Sequence, residues 1–231
     1  MQNVYEPILI EEGFWRIEEG GVRVFLIEGS EKAMLVDTGY GTGDLKACIA
    51  SLTDKPIFVV NTHADGDHVG CNAQFSEIYM HPAEMDRYWQ RNEETAKQTT
   101  VSPIWEGDTI DLGGKTFRVV LIPGHTPGSI ALLYEEKGWL ISGDSVQQGT
   151  IFMFGPGRNI YAYIESMRKL NALSGFTKIL PSHGPFDVSR EILPTLIEGA
   201  IKLKDNALTG RDPERDLPCL LYDYKDVHFL F

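Results

Sequence analysis

Apolar positions in the first third of the chain fall into short blocks separated by turns. Phe14-Trp15-Arg16-Ile17, Val22 to Ile27 and Ala33 to Val36 read as β-strands. The unbroken apolar run Ile57-Phe58-Val59-Val60 reads as a strand buried on both faces. Between these blocks Leu45, Ile49 and Leu52 recur at spacings of four and three, which predicts a helix. Residues 83–97 form a more polar helical stretch, entered through Pro82 at a favourable first-turn position. The second half has the same style without repeating the sequence. Strands are predicted at Phe117 to Ile122, Ile130 to Tyr134, Trp139 to Ile141 and Lys178 to Leu180. Ile164, Met167, Leu170 and Leu173 mark a helix packed on a sheet, and a last helix covers Glu191 to Lys204. Two β-rich halves, each with its own helices and no linker between them, predict an α+β chain folded as a four-layer αββα sandwich, with residues 1–231 forming one domain.

Composition narrows the functional classes. A 231-residue chain that is 42% hydrophobic and 23% charged has an ordinary globular make-up and needs no staple to build a core. Its 21 basic and 33 acidic residues leave a net charge of −12, which repels nucleic-acid backbones and anionic lipid. No apolar run approaches the roughly 18 residues of a membrane span. The start, Met1-Gln2-Asn3-Val4-Tyr5-Glu6-Pro7, lacks the pattern of a secretory signal. Three cysteines, Cys48, Cys71 and Cys219, do not make a disulfide framework. These features predict a cytoplasmic protein whose partner is a small-molecule substrate rather than nucleic acid or membrane; self-association is left open.

The chemistry sits at strand ends. His63 and His68 follow Ile57–Val60, His125 follows Val119 to Ile122, and His183 follows Ile179-Leu180. Asp144 follows Trp139 to Ile141, within Ser142-Gly143-Asp144-Ser145. Loops at the ends of a rigid sheet are where binding and catalytic groups concentrate. In Thr62-His63-Ala64-Asp65-Gly66-Asp67-His68, four candidate ligands fall within six residues, a cluster that costs burial energy unless a cation holds it together. Imidazole and carboxylate are ligands for zinc, iron or manganese. In an extended loop, positions 63, 65 and 67 would point one way and His68 another, which suits two metal centres. The blander reading makes His63 and His68 cap or turn residues and leaves Asp65 and Asp67 solvated. His81, before Pro82, and His228, near the end of the chain, read as structural.

Together these residues resemble the metallo-β-lactamase fold superfamily, whose hallmark is H-x-H-x-D-H followed by separated His, Asp and His ligands. The matching positions are His63, Asp67 and His68, then His125 in Pro123-Gly124-His125-Thr126-Pro127-Gly128, then Asp144, then His183 in Pro181-Ser182-His183-Gly184. Leu35-Val36-Asp37-Thr38-Gly39 is similar to a segment the family carries early in its fold. The resemblance runs from about residue 14 to 190. It implies one metal site of His63, Asp65 and His125, a second of Asp67, His68 and His183, and Asp144 bridging them. Two divalent ions are implied, zinc first, with iron or manganese as alternatives. The chain departs from the family pattern at Asp65, where the family has histidine; a carboxylate there favours harder cations and leaves occupancy of that site in question. Asp37 is read either as a carboxylate that holds a ligand histidine in one tautomer or as a turn residue.

The resemblance also implies a hydrolase. A water on the metal, its pKa lowered towards about 7, supplies hydroxide, and Asp67 is the catalytic residue that orients it. No G-x-S-x-G elbow is present, so a Ser-His-Asp triad has no support. Arg158 and Tyr161, after the Asp144 loop, are candidate substrate contacts. Pro-Gly-His-Thr-Pro-Gly is similar to glyoxalase II-type thioesterases, and the expected substrate is a small ester, thioester, lactone or amide. Two other readings remain open: a di-iron oxidoreductase resembling the catalytic domain of flavodiiron proteins, which also carry a carboxylate at the second motif position, and a non-catalytic metal-binding module.

Overall fold

The structure is a computed structural model that describes residues 4–91 and 99–231. The chain divides into two compact units, Met1–Val119 and Val120–Phe231.

The first unit is built on a seven-stranded sheet in the order of the chain. Its strands are β1 (Glu6–Glu11), β2 (Phe14–Glu19), β3 (Val22–Glu28), β4 (Ala33–Val36), β5 (Ile57–Val60), β6 (Glu77–Met80) and β7 (Thr100–Pro103). β1 to β4 run antiparallel, and β4 to β7 run parallel. Parallel neighbours need crossovers. Helix α1 (Leu45–Ala50) lies in the first of these, the short helix α2 (Gly66–Val69) in the second, and α3 (Pro82–Arg91) in the third. The predicted helix over 83–97 is thus found as far as Arg91, and residues 92–97 lie outside the described residues.

Alternation along β5 shows how both faces are used. Val59 packs with Val24, Leu26, Leu35, Ile78, Leu45 and Ile49 and with Tyr88 of α3, so the helices cover this face. Phe58 and Val60 point the other way and, with Lys32, Tyr79 and Ile110, line a groove of about 530 Å³. β4 and β5 therefore each carry an unbroken apolar run. A hairpin of β8 (Thr109–Asp111) and β9 (Thr116–Leu121) follows, and the chain passes into the second unit within β9.

The second unit contains β10 (Ile130–Tyr134), β11 (Trp139–Gly143), β12 (Gly149–Phe152), α4 (Ile160–Ala172), β13 (Lys178–Pro181), β14 (Val188–Ser189), α5 (Ile192–Lys204), β15 (Gly210–Arg211), β16 (Leu221–Tyr224) and β17 (Val227–Leu230). β10 and β11 form a hairpin, and β13 joins β11 in parallel through α4. β12, β17, β16 and β15 form a separate four-stranded sheet. Helix α4 starts where Asn159 accepts hydrogen bonds from the Tyr161 and Ala162 N–H groups, a capping arrangement that satisfies two otherwise orphaned donors. Ile164, Met167 and Leu170 of α4 and Leu193, Leu196 and Ala200 of α5 share one core with Leu133, Leu140, Ile179 and Phe229. Gly199 lets α5 lie close to the last hairpin: a Cβ there would sit 2.9 Å from both Phe229 Cε2 and Tyr224 Cδ1.

Candidate metal centre

In the first unit, the parallel strands β4 and β5 end side by side, and their following residues organise the histidine loop. Asp37 stands directly after β4, fully buried and with φ of 64°. This left-handed backbone is uncommon for a side chain, and Asp is among the residues that tolerate it. The carboxylate makes three bonds in return. Oδ1 accepts from the Thr62 N–H at 2.7 Å, and Oδ2 accepts from Thr62 Oγ1 at 2.7 Å and lies 2.8 Å from His68 Nδ1.

These contacts fix two tautomers. A carboxylate only accepts, so His68 carries its proton on Nδ1. Thr62 has one hydroxyl proton, and it goes to Asp37; the 3.0 Å contact between Thr62 Oγ1 and His63 Nδ1 therefore has His63 donating. Both rings then present the Nε2 lone pair. His63 Nε2 lies 3.6 Å from Asp65 Oδ2, and His68 Nε2 lies 3.8 Å from Asp67 Oδ2. The two ring centroids are 4.0 Å apart.

The loop is not extended throughout, which changes one expectation. Asp65 has φ −73° and ψ 152°, but the chain turns helical at Gly66, so Asp67 and His68 project from α2 rather than continuing an alternation with His63 and Asp65. His63 and His68 are buried, whereas the Asp65 and Asp67 side chains keep exposures of 13% and 25%. Asp65 occupies the N-cap position of α2, yet its carboxylate caps no helix N–H. Oδ1 instead accepts from Arg87 Nη2 at 2.5 Å.

Arg87 and its neighbour Glu84 were not singled out in the sequence. They lie one turn apart on α3, and the buried Glu84 accepts from the Ala64 N–H at 2.9 Å. One helix therefore holds two consecutive residues of the histidine loop.

The second unit brings His125, Asp144 and His183 together. Each follows a strand: β9, β11 and β13. Asp144 Oδ2 lies 3.7 Å from His125 Nε2, and Oδ1 lies 3.4 Å from His183 Nε2, so each carboxylate oxygen faces one imidazole. His125 Nδ1 donates to the Phe152 carbonyl at 2.8 Å, which again leaves the Nε2 lone pair unprotonated. Gly124, with φ of 141°, permits the approach of α4: a Cβ there would stand 2.4 Å from Tyr163 Cα. Tyr163 is fully buried and donates to the Ser145 carbonyl at 2.9 Å, so it packs the scaffold. At the start of α4, Arg158 is half-buried and Tyr161 is exposed.

The remaining chemistry-bearing residues have local roles. His81 Nδ1 accepts from the Ala83 N–H at 3.2 Å, and burial pushes its imidazole below the ordinary histidine range. His228 Nδ1 lies 2.7 Å from Asp223 Oδ1, its cross-strand partner in the last hairpin. The three cysteines are free thiols. Cys71 is buried against the Tyr5 hydroxyl at 3.3 Å, and burial raises its thiol pKa.

The donor set is chemically suited to divalent cations. Three imidazoles have Nδ1 committed and Nε2 presented, and carboxylate oxygens lie between 3.4 and 3.8 Å from ring nitrogens in both units.

Comparison with known proteins agrees with this chemistry. Residues 17–202 match the sequence model of the metallo-beta-lactamase superfamily. The acyl-coenzyme A thioesterase MBLAC2 of Gallus gallus is 31% identical over 212 residues, covering 74% of this chain and 76% of its own. A hydroxyacylglutathione hydrolase of Crocosphaera subtropica is 34% identical over 145 residues, covering 59% of this chain and 53% of its own. Among solved structures, TTHA1623 in a di-iron-bound form superposes with a TM-score of 0.62 at 26% identity, covering 81% of this chain and 96% of its own. The chain belongs to the metallo-β-lactamase superfamily and has its α+β fold. Within that superfamily it is an enzyme, a metallo-hydrolase.

Proposed function

We propose that this chain, acting as one domain over residues 1–231, hydrolyses a small acyl thioester with the help of two divalent cations, zinc in the first instance. The observation that carries the thioester reading is the 31% identity to an acyl-coenzyme A thioesterase across about three quarters of both chains. His63, Asp65 and His125 are assigned to one cation, Asp67, His68 and His183 to the other, and Asp144 to both. What supports this assignment is the family's ligand order, met position by position except at Asp65, and the Nε2 lone pairs described above.

Such cations, when bound, supply Lewis acidity, which activates water at neutral pH and polarises an acyl oxygen. The protein's part is positional. Asp37 holds His68 directly and His63 through Thr62, so both rings keep one tautomer and one orientation. The Phe152 carbonyl does the same for His125. Asp67, partly exposed on α2, is assigned to orient the attacking water and to accept its proton on a carboxylate oxygen. Arg158 and Tyr161 are assigned to the acyl or thiol portion of the substrate. Free thiols at Cys48, Cys71 and Cys219 suit a reducing compartment, and we place the protein in the cytoplasm.

The test is a substrate panel of acyl-coenzyme A and acylglutathione thioesters, a lactone and an activated ester, run on protein of measured metal content. Thioester turnover should disappear with a chelator and return with zinc. Protein that holds two cations and turns over none of the panel would sink the thioester reading. Iron has a specific observation in its favour, the di-iron-bound relative. Two irons per chain with redox-sensitive absorbance would move the assignment towards oxidoreductase chemistry.

A further inference from the structure

We infer that Arg87 is a positioning residue for Asp65, holding one carboxylate oxygen so that the other is the ligand atom, and supplying the positive charge that makes an aspartate acceptable where the family has histidine. This rests on the metal-centre reading above.

The geometry divides the two oxygens of Asp65. Oδ1 receives the Arg87 guanidinium at 2.5 Å, while Oδ2 turns towards His63 Nε2 at 3.6 Å. Asp65 side-chain exposure is 13% and that of Arg87 is 23%, so the pair is sheltered enough for its charge to be felt locally. Asp65 also forgoes the cap that its place before α2 offers, where Asp is among the favoured residues. The carboxylate is committed to α3 on one side and the His63 ring on the other. Guanidinium rather than ammonium suits this position, because it stays charged and its N–H donors are held in one plane, which gives the contact with Oδ1 a set direction.

Charge gives the second argument. Exchanging a neutral imidazole for a carboxylate lowers the formal charge of the ligand set by one, and Arg87 returns it. Asp65 and Arg87 therefore form a functional unit that replaces a single histidine. Removing the guanidinium removes the contact that holds Oδ1 in place. Removing the carboxylate leaves a cation beside a centre meant to hold cations.

The experiment is a double-mutant cycle read by metal content per chain after dialysis against a weak chelator, with thermal unfolding checked in parallel. The wild type is expected to keep two cations. Arg87→Met is expected to lose one of them, through a roughly 10- to 100-fold loss of affinity, and to lower kcat more than it raises KM. Arg87→Lys restores charge without the planar fork and should recover part of the loss. Asp65→His alone should also lose a cation, and Asp65→His with Arg87→Met should regain it, because the positive charge that Asp65 balanced is gone. Two cations held equally well by Arg87→Met, or equal loss in Asp65→His with and without Arg87→Met, would overturn the inference while leaving the metal centre intact. A wild-type protein that binds no divalent cation would overturn both.

Discussion

Asp37 Oδ2 lies 2.8 Å from His68 Nδ1 and accepts a second proton, from Thr62 Oγ1, at 2.7 Å. One oxygen atom thus decides the tautomer of two imidazoles, His68 directly and His63 one hydroxyl further on. Asp37→Asn should separate this electronic role from the shape of the residue, since Asn also tolerates the left-handed backbone. Whichever way the amide turns, one of its atoms cannot accept what Asp37 accepts. Metal affinity is expected to fall about 10- to 100-fold with the fold retained, as read by chelator competition and circular dichroism. Unchanged affinity would mean that the tautomers are set elsewhere.

Arg158 and Tyr161 are open to test as substrate contacts. Arg158→Ala should raise KM for a thioester by about 5- to 50-fold, the loss of one or two good polar contacts, with metal content untouched. A kcat/KM equal to that of the wild type would remove Arg158 from the substrate site.

Stability should respond to His81 in mildly acidic solution. Burial holds its imidazole below the ordinary value near 6.5, and Nδ1 accepts the Ala83 N–H, a bond that protonation removes. Because the folded pKa is depressed and the neutral form is the folded one, the unfolded chain binds the proton first as pH falls. The contribution is complete above about 6.5 and is lost as pH drops towards the folded pKa. Asn at this position keeps an acceptor that does not titrate. Urea midpoints measured over this pH range should therefore fall less steeply for His81→Asn than for the wild type, and parallel curves would contradict the assignment.

Gly199→Ala puts a methyl group 2.9 Å from ring carbons of Phe229 and Tyr224. Overpacking costs about 1–3 kcal/mol, against roughly 1 kcal/mol gained in helix propensity. A lower Tm is expected, and a raised one would show that the hairpin yields freely.

Much of the histidine loop was legible because it breaks the rules of ordinary sequence. Buried strands such as Ile57–Val60 are continuous apolar runs, and the polar, hydrogen-bonding residues that follow them stand out against that background. The strands that escaped notice lack this contrast. β1 carries Pro7 among half-buried residues, and β6 is only Glu77-Ile78-Tyr79-Met80. The last hairpin turns through Lys225-Asp226, with Lys225 at φ 53°, where an Asn-Gly pair would have announced it. An alternating string of candidate ligands predicts an extended loop, but Gly66 begins a helical turn that carries Asp67 off that alternation. Arg87 was invisible for another reason. Twenty-two residues from Asp65, on a polar helix, it reads as solvated surface, and only the placement of α3 against the loop gives it a partner.

The grip of α3 on Ala64 and Asp65 has a consequence for how this branch of the superfamily diverged. Asp65 without Arg87 carries surplus negative charge, and Arg87 without Asp65 sets a cation beside a cation site, so each single step passes through a weakened enzyme. Codons 65 and 87 are therefore expected to be inherited as a pair. Homologous chains with histidine at the first position should carry an uncharged residue at the second, and the two together should divide the lineage more cleanly than either alone.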